Sequence, residues 1–337
     1  MKKLRLLLLL PALGAFIACG GDPKEEKTAA PDPNPELTAI SKIIDASPNN
    51  DTLLFQRAEL YYNLKGYDEA LKDLNRAMQI DSMRPAYYHL LADVLLDYGR
   101  PNDSKRAIDV LTLASERFPE RISTLLKLSE FQLIVRKHTD ALGTLNKVLL
   151  RDPQNAEAFF MTGRVAIDMG DTTRAIAALQ KSVQFDANLI DAWLFLGRIY
   201  ANRNSLQAIQ CYDNALRVDS TNLEAREFKG VFFKRRGEFD KAFEVYREII
   251  TRNPDYSNAY FDMGMIYLEL DSLAKARDHF DIAIKTDPLF VKAYYYRGIT
   301  SELQGNVSAA IDDYKQALKM SPKFVEAQEA LESLEKK

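Results

Sequence analysis

The stretch WLFLGRIYANRNSLQAIQCYDNALRVDS, Trp193 to Ser220, has a near-twin in YFDMGMIYLELDSLAKARDHFDIAIKTDP, Tyr260 to Pro288. A large residue, an apolar residue, a glycine and a tyrosine recur at matching places in the first half of each. An alanine, an aromatic, a second alanine and an aspartate recur in the second half. Self-similarity at a fixed period is the signature of a repeat architecture and is weighed before any domain count from length. Extended in both directions, the pattern gives eight units, beginning at Asp51, Pro85, Ile122, Ala156, Ile190, Leu223, Ser257 and Val291, the last ending at Phe324. Six of the eight are 34 residues long, while the second carries three extra residues in its inter-helix turn, RPNDSK (Arg100 to Lys105), and the fifth lacks one.

This pattern closely resembles the tetratricopeptide repeat, a 34-residue pair of antiparallel helices. Trp193, Leu196, Gly197 and Tyr200 match that family's first-helix signature, and Ala208, Tyr212 and Ala215 its second. The resemblance implies an all-α fold, an α-solenoid wound as a right-handed superhelix. Small residues at Ala58, Ala92, Ser129, Gly163, Gly197, Gly230, Gly264 and Gly298 let the two helices of a unit approach closely. Pro119, Pro153, Pro254, Pro288 and Pro322 stop the second helix, because proline cannot continue one. Residues 36–50 read as a degenerate half repeat, residues 51–324 as the eight units, and residues 325–337 as an amphipathic helix of the kind that caps an open stack.

Ahead of the repeats, Lys2, Lys3 and Arg5 precede an apolar run from Leu6 to Ala18. That run is too short to span a bilayer, which needs roughly 20 apolar residues in a helix, and it reads as a secretory leader. Phe16 stands where the ordinary signal peptidase wants a small residue. The run Phe16-Ile17-Ala18-Cys19 instead resembles a bacterial lipobox, with Phe16 in place of the usual leucine. By that resemblance residues 1–18 are removed and Cys19 is lipidated, and several acyl chains anchor stably where one would be marginal. Residues 19–35 are charged and proline-rich without an aromatic, a composition too poor in apolar surface to offset chain entropy, and are expected to form a disordered tether. Leader and tether resemble those of Bacteroidota lipoproteins, and Gly20 after the cysteine favours an outer-membrane anchor.

Removing the leader takes three of the 45 basic residues and none of the 48 acidic ones, leaving a formal net charge of −6. That balance argues against nucleic acid as a partner, which needs clustered positive charge. Cys211 has no cysteine to pair with once Cys19 is acylated, and His89, His138 and His279 lack metal-ligand spacing, so no metal or other cofactor is expected. No phosphate loop, nucleophile elbow or zinc-hydrolase motif occurs. The acid pair Asp312 and Asp313 reads as a solvated helix face, His138 as a structural inter-helix residue, and Cys211 as an unreactive mid-helix thiol. An enzyme is not expected.

Members of the family resembled present a concave face of first helices, on which repeat positions 5 and 9 fall. Position 5 here reads Phe55, His89, Leu126, Phe160, Leu194, Glu227, Phe261, Tyr295. Position 9 changes in blocks: Glu59, Asp93, Glu130, then Arg164, Arg198, then Val231, Met265, Ile299. The expected groove is acidic at its amino end, basic in the middle, where Lys234 and Arg235 join the arginines, and apolar toward its carboxyl end. Phe160, Arg164, Arg198, Phe261, Met265, Tyr295 and Ile299 are therefore the expected contacts for a helical or extended segment of another envelope protein. No repeat combines lysine at position 5 with asparagine at position 9, so the chaperone-tail clamp of some cytosolic relatives is not supported. The alternative is a peptidoglycan- or glycan-binding lipoprotein stacking sugars on Phe160, Phe261 and Tyr295; aliphatic residues at position 9 speak against it.

Overall fold

The computed structural model describes residues 34–336, so the leader, Cys19 and nearly all of the tether lie outside the described residues. Within them every regular element is an α-helix, and none is long and apolar enough to cross a membrane. The chain divides into two compact units between Met83 and Arg84.

The first unit holds α1 (Pro35–Ala46), α2 (Asp51–Asn63) and α3 (Tyr67–Ile80). α1 starts where Asn34 Oδ1 accepts from the amides of Glu36 and Leu37, and it buries Leu37 and Ile44. Arg57 then binds the three helices into one body. Its Nε and Nη2 donate to Asp73 at 2.6 and 2.8 Å and its Nη1 to Ser41 Oγ at 3.1 Å.

In the second unit the first helices of successive repeats are α4 (Pro85–Tyr98), α6 (Ile122–Ile134), α8 (Ala156–Asp168), α10 (Ile190–Asn202), α12 (Leu223–Arg235), α14 (Ser257–Glu269) and α16 (Val291–Leu303). Their second helices are α5 (Asp103–Arg117), α7 (His138–Arg151), α9 (Thr172–Phe185), α11 (Gln207–Val218), α13 (Phe239–Arg252), α15 (Leu273–Thr286) and α17 (Val307–Met320), and α18 (Val325–Glu335) closes the series. Each helix packs on the next in sequence, and each first helix also touches another first helix, so the first helices share one face, as an α-solenoid requires. Starts and stops follow local chemistry. Asn155 and Asn222 cap α8 and α12 by accepting from the amides of Ala158 and Ala225, both at 2.8 Å. The five expected prolines each follow directly on the C-cap of a second helix. Within each repeat the inter-helix turn passes through the left-handed region at the repeat's fifteenth residue, glycine at Gly99, Gly170, Gly237 and Gly305 but Arg136, Asn204 and Asp271 elsewhere.

Two expectations need correction. The RPNDSK insertion is not confined to a turn: α4 and α5 are each one residue longer than the usual 13 and 14, leaving only Gly99 to Asn102 between them. Asp312 is exposed, but Asp313 is buried and holds Arg297 in a two-point ion pair, because adjacent helix residues point about 100° apart. The tight approach inside a unit has a specific partner. A β-carbon on Gly230, Gly264 or Gly298 would lie 2.6 to 2.7 Å from the ring of Tyr246, Phe280 or Tyr314 on the second helix. One large residue per unit thus fills the space that the small residue leaves.

Candidate binding face of the first helices

Between neighbouring first helices of the second unit lie shallow clefts, and all the expected contact residues but Ile299 fall into them. Phe160 and Arg164 of α8 line one with Glu130 of α6, the Arg164 guanidinium lying over the Phe160 ring at 5.8 Å. Arg164 also lines the next with Phe195 of α10, Arg136 and Asp168. Arg198 of α10 stands in a third cleft of about 190 Å³ with Phe228, Val231 and Arg235 of α12, its guanidinium 5.7 Å from the Phe195 ring and 5.6 Å from that of Phe228. Neither Arg164 nor Arg198 makes an ion pair among the described residues. Each guanidinium lies instead against aromatic rings, which position it without neutralising its charge.

Phe261 and Met265 of α14 and Tyr295 of α16 come together in a cleft of about 340 Å³. Five further residues complete it: Lys234 of α12, Lys292 and Tyr296 of α16, Phe324 from the turn before α18, and Glu326 of α18. The rings form one continuous cluster, with Tyr295 5.2 Å from Tyr296 and 5.0 Å from Phe324, and Phe261 5.6 Å from Tyr296. Sequence reasoning missed Phe324, although a large apolar residue at the last position of a unit recurs as Leu189, Tyr256, Phe290 and Phe324. Ile299 is placed differently. With Tyr295 it packs against the core of Tyr314 and Leu334, under α18, and does not line the cleft.

The expected charge blocks are partly neutralised inside the protein. Asp93 of α4 pairs with Lys127 of α6 at 2.8 Å, and burial holds its carboxyl above the usual range. Lys234 is tied to Asp262 and is not a free cation, whereas Arg235 donates to the carbonyl of Ala201 and makes no ion pair among the described residues. Glu227, at position 5 of its unit, accepts from the Tyr256 hydroxyl at 2.5 Å. Cys211 is 5% exposed and burial pushes its thiol up to about 12, so no thiolate forms near neutrality. His138 opens α7 and lies 2.5 Å from Asp168 through Nε2.

His89, the position-5 residue of α4, lies 2.9 Å from Thr124 Oγ1, and burial, with Lys127 and Arg121 nearby, pushes its pKa down from 6.5 to about 4. The unfolded chain therefore takes up a proton near pH 6.5 that the folded chain refuses until about pH 4. Stability from this group is complete above pH 6.5 and falls as the pH drops toward 4. Over that window the wild-type chain is expected to lose about 2 kcal/mol more than a His89→Gln variant. Denaturant titrations of both chains at several pH values check this; parallel curves would refute it.

A family model of the tetratricopeptide repeat matches residues 135–189, 198–257 and 261–323, together more than half of the chain, and a second such model matches residues 52–82. The human tetratricopeptide repeat protein 6 is 24% identical over 248 residues, covering 72% of this chain and 40% of that protein. A TPR repeat-containing protein of Methanocaldococcus jannaschii is 20% identical over 271 residues, covering 74% of this chain and 47% of its own. The chain thus spans less than half the length of these curated relatives. The crystal structure of a tetratricopeptide repeat protein from Parabacteroides merdae superposes with a TM-score of 0.52 at 20% identity, over 73% of this chain and 98% of that one.

Proposed function

The chain belongs to the tetratricopeptide repeat family, a protein-binding scaffold, and from that premise we propose that it is a non-enzymatic adaptor of the bacterial envelope, tethered to the outer membrane through lipidated Cys19. Its partner is another envelope protein, which lays a segment along the first-helix face. The observation that carries this reading is the pair Arg164 and Arg198, unpaired cations at equivalent positions of neighbouring first helices, on the same face as the aromatic cleft of Phe261, Met265 and Tyr295. Charges left without internal partners on a face built by repetition are suited to an acidic segment, and an apolar cleft beside them to its large side chains.

One experiment separates anchor from face. Full-length chains are produced in the native host, the membranes fractionated, and neighbours cross-linked at low and at high salt. The Cys19→Ala chain is expected to leave the membrane fraction. The doubly reversed Arg164→Glu, Arg198→Glu chain is expected to stay there but lose its cross-linked partner, and in the wild type that partner is expected to weaken as salt rises. Cys19→Ala remaining membrane-bound refutes the anchor. The same cross-links from wild-type and reversed chains at both salts refute the face.

A further inference from the structure

The cleft between α10 and α12 differs from the other clefts on the face. Two arginines, Arg198 and Arg235, converge on it and no acidic residue lines it, whereas the neighbouring clefts contain Glu130, Asp168 or Glu326. Both guanidiniums are held in place without being neutralised. Arg198 rests against Phe195 and Phe228, and Arg235 is fixed by its hydrogen bond to the Ala201 carbonyl at the end of α10. Nearby cations are by contrast matched internally: Lys229 with Asp213 at 2.7 Å, Lys234 with Asp262, and Arg236 with Glu238 at 2.6 Å. Each arginine retains unused N–H donors in fork geometry, the arrangement that takes a carboxylate.

This cleft and the aromatic cleft flank the same turn of α12. Arg235 lines the first, and its chain neighbour Lys234 lines the second. A helix with its side chains is about 10 Å across, and an extended chain advances ~3.3 Å per residue. The aromatic cleft opens between α14 and α16, so α12 and α14 both stand between the two sites, and groups that reach both from one extended segment stand about six residues apart.

From this juxtaposition we infer that the bound segment is an extended peptide carrying a side-chain carboxylate and, about six residues away, a large apolar side chain. The carboxylate sits between Arg198 and Arg235, and the apolar side chain enters the cleft of Phe261, Met265, Tyr295 and Phe324. This deepens the adaptor reading and rests on it. It replaces a diffuse preference for acidic partners with a two-point motif whose spacing is set by the widths of α12 and α14.

The test uses the full chain in detergent and short synthetic peptides, acetylated and amidated so that their only carboxylate is one glutamate. A phenylalanine is stepped one residue at a time away from that glutamate, in both orders, on an otherwise glycine-serine chain, and binding is read by fluorescence anisotropy at low salt. Affinity is expected to peak at about six residues' separation in one order and to fall about ten-fold when the glutamate becomes glutamine. With Arg198→Gln and Arg235→Gln together, the glutamate and glutamine peptides are expected to bind alike, helicity being unchanged. With Met265→Ala the phenylalanine is expected to lose its advantage while the glutamate keeps its own. Affinity independent of spacing, or a glutamate effect that survives in the arginine variant, overturns the motif and leaves the adaptor reading to the cross-linking experiment. Failure of the whole series to bind overturns the motif as well.

Discussion

Replacing Arg297 by leucine is expected to destabilise the carboxyl-terminal repeats by about 3 kcal/mol. Arg297 on α16 donates through Nε and Nη2 to the two oxygens of Asp313 at 3.0 and 2.6 Å, and through Nη1 to Asp281 at 2.5 Å. It thereby ties one repeat to its predecessor as well as closing its own helix pair. Asp313 is only 6% exposed, so removing the guanidinium strands a carboxylate away from water, a larger loss than the net contribution of the pair itself. The Arg297 side chain retains 23% exposure, which places the effect at the lower end of what breaking a buried pair does. Adding Asp313→Leu to Arg297→Leu is expected to recover most of the loss, since the pair is then replaced by apolar groups and no charge is stranded. Guanidinium denaturation of the three chains, with hydrogen exchange in α16 and α17 to localise the change, tests the point. A single variant within about 1 kcal/mol of wild type would show that water reaches Asp313 freely.

That ion pair marks the boundary of what the sequence disclosed. Helix starts were legible because the unit repeats: one well-preserved copy, Trp193 to Ser220, fixes the phase for copies in which the signature is worn. Arg164 and Arg198 were legible for the same reason, since a surface position follows from phase alone. Interactions linking positions far apart in sequence were harder to see. Asp313 looked like half of a solvated acid pair because its partner lies 16 residues away, although Arg57 and Asp73 repeat the same spacing in the first unit. Lys234 looked like a free cation because nothing local shows that Asp262, on the next first helix, takes its charge. Ile299 looked like a groove residue because it is in phase with Met265. It lies in the last repeat, where α18 covers what an inner repeat would leave open. Phase tells which face a residue occupies, and the ends of the stack decide whether that face is free.

Phe280→Ala is expected to have the largest effect, about 3–5 kcal/mol, because it removes a fully buried ring that α15 drives against the backbone of α14. Its ring lies where a β-carbon on Gly264 would come within 2.7 Å, and its neighbours are the rings of Phe261 at 5.7 Å and Tyr296 at 6.1 Å. Alanine there loses the transfer free energy of the ring and leaves a cavity that the helix pair fills only by moving closer. Gly264→Ala alone is expected to destabilise by about 1–3 kcal/mol, since the added methyl must displace the same ring. The two changes oppose each other in volume, so the double variant is expected to fall short of their sum by at least about 1 kcal/mol, the added methyl occupying part of the vacated space. Strict additivity in denaturant titrations would mean that glycine is required here for a reason other than ring packing. Phe261 and Tyr296 also wall the aromatic cleft, so Phe280→Ala acts on the proposed binding face from beneath: their rings lose the surface they rest on, and the cleft loses its fixed shape before the array loses its helices.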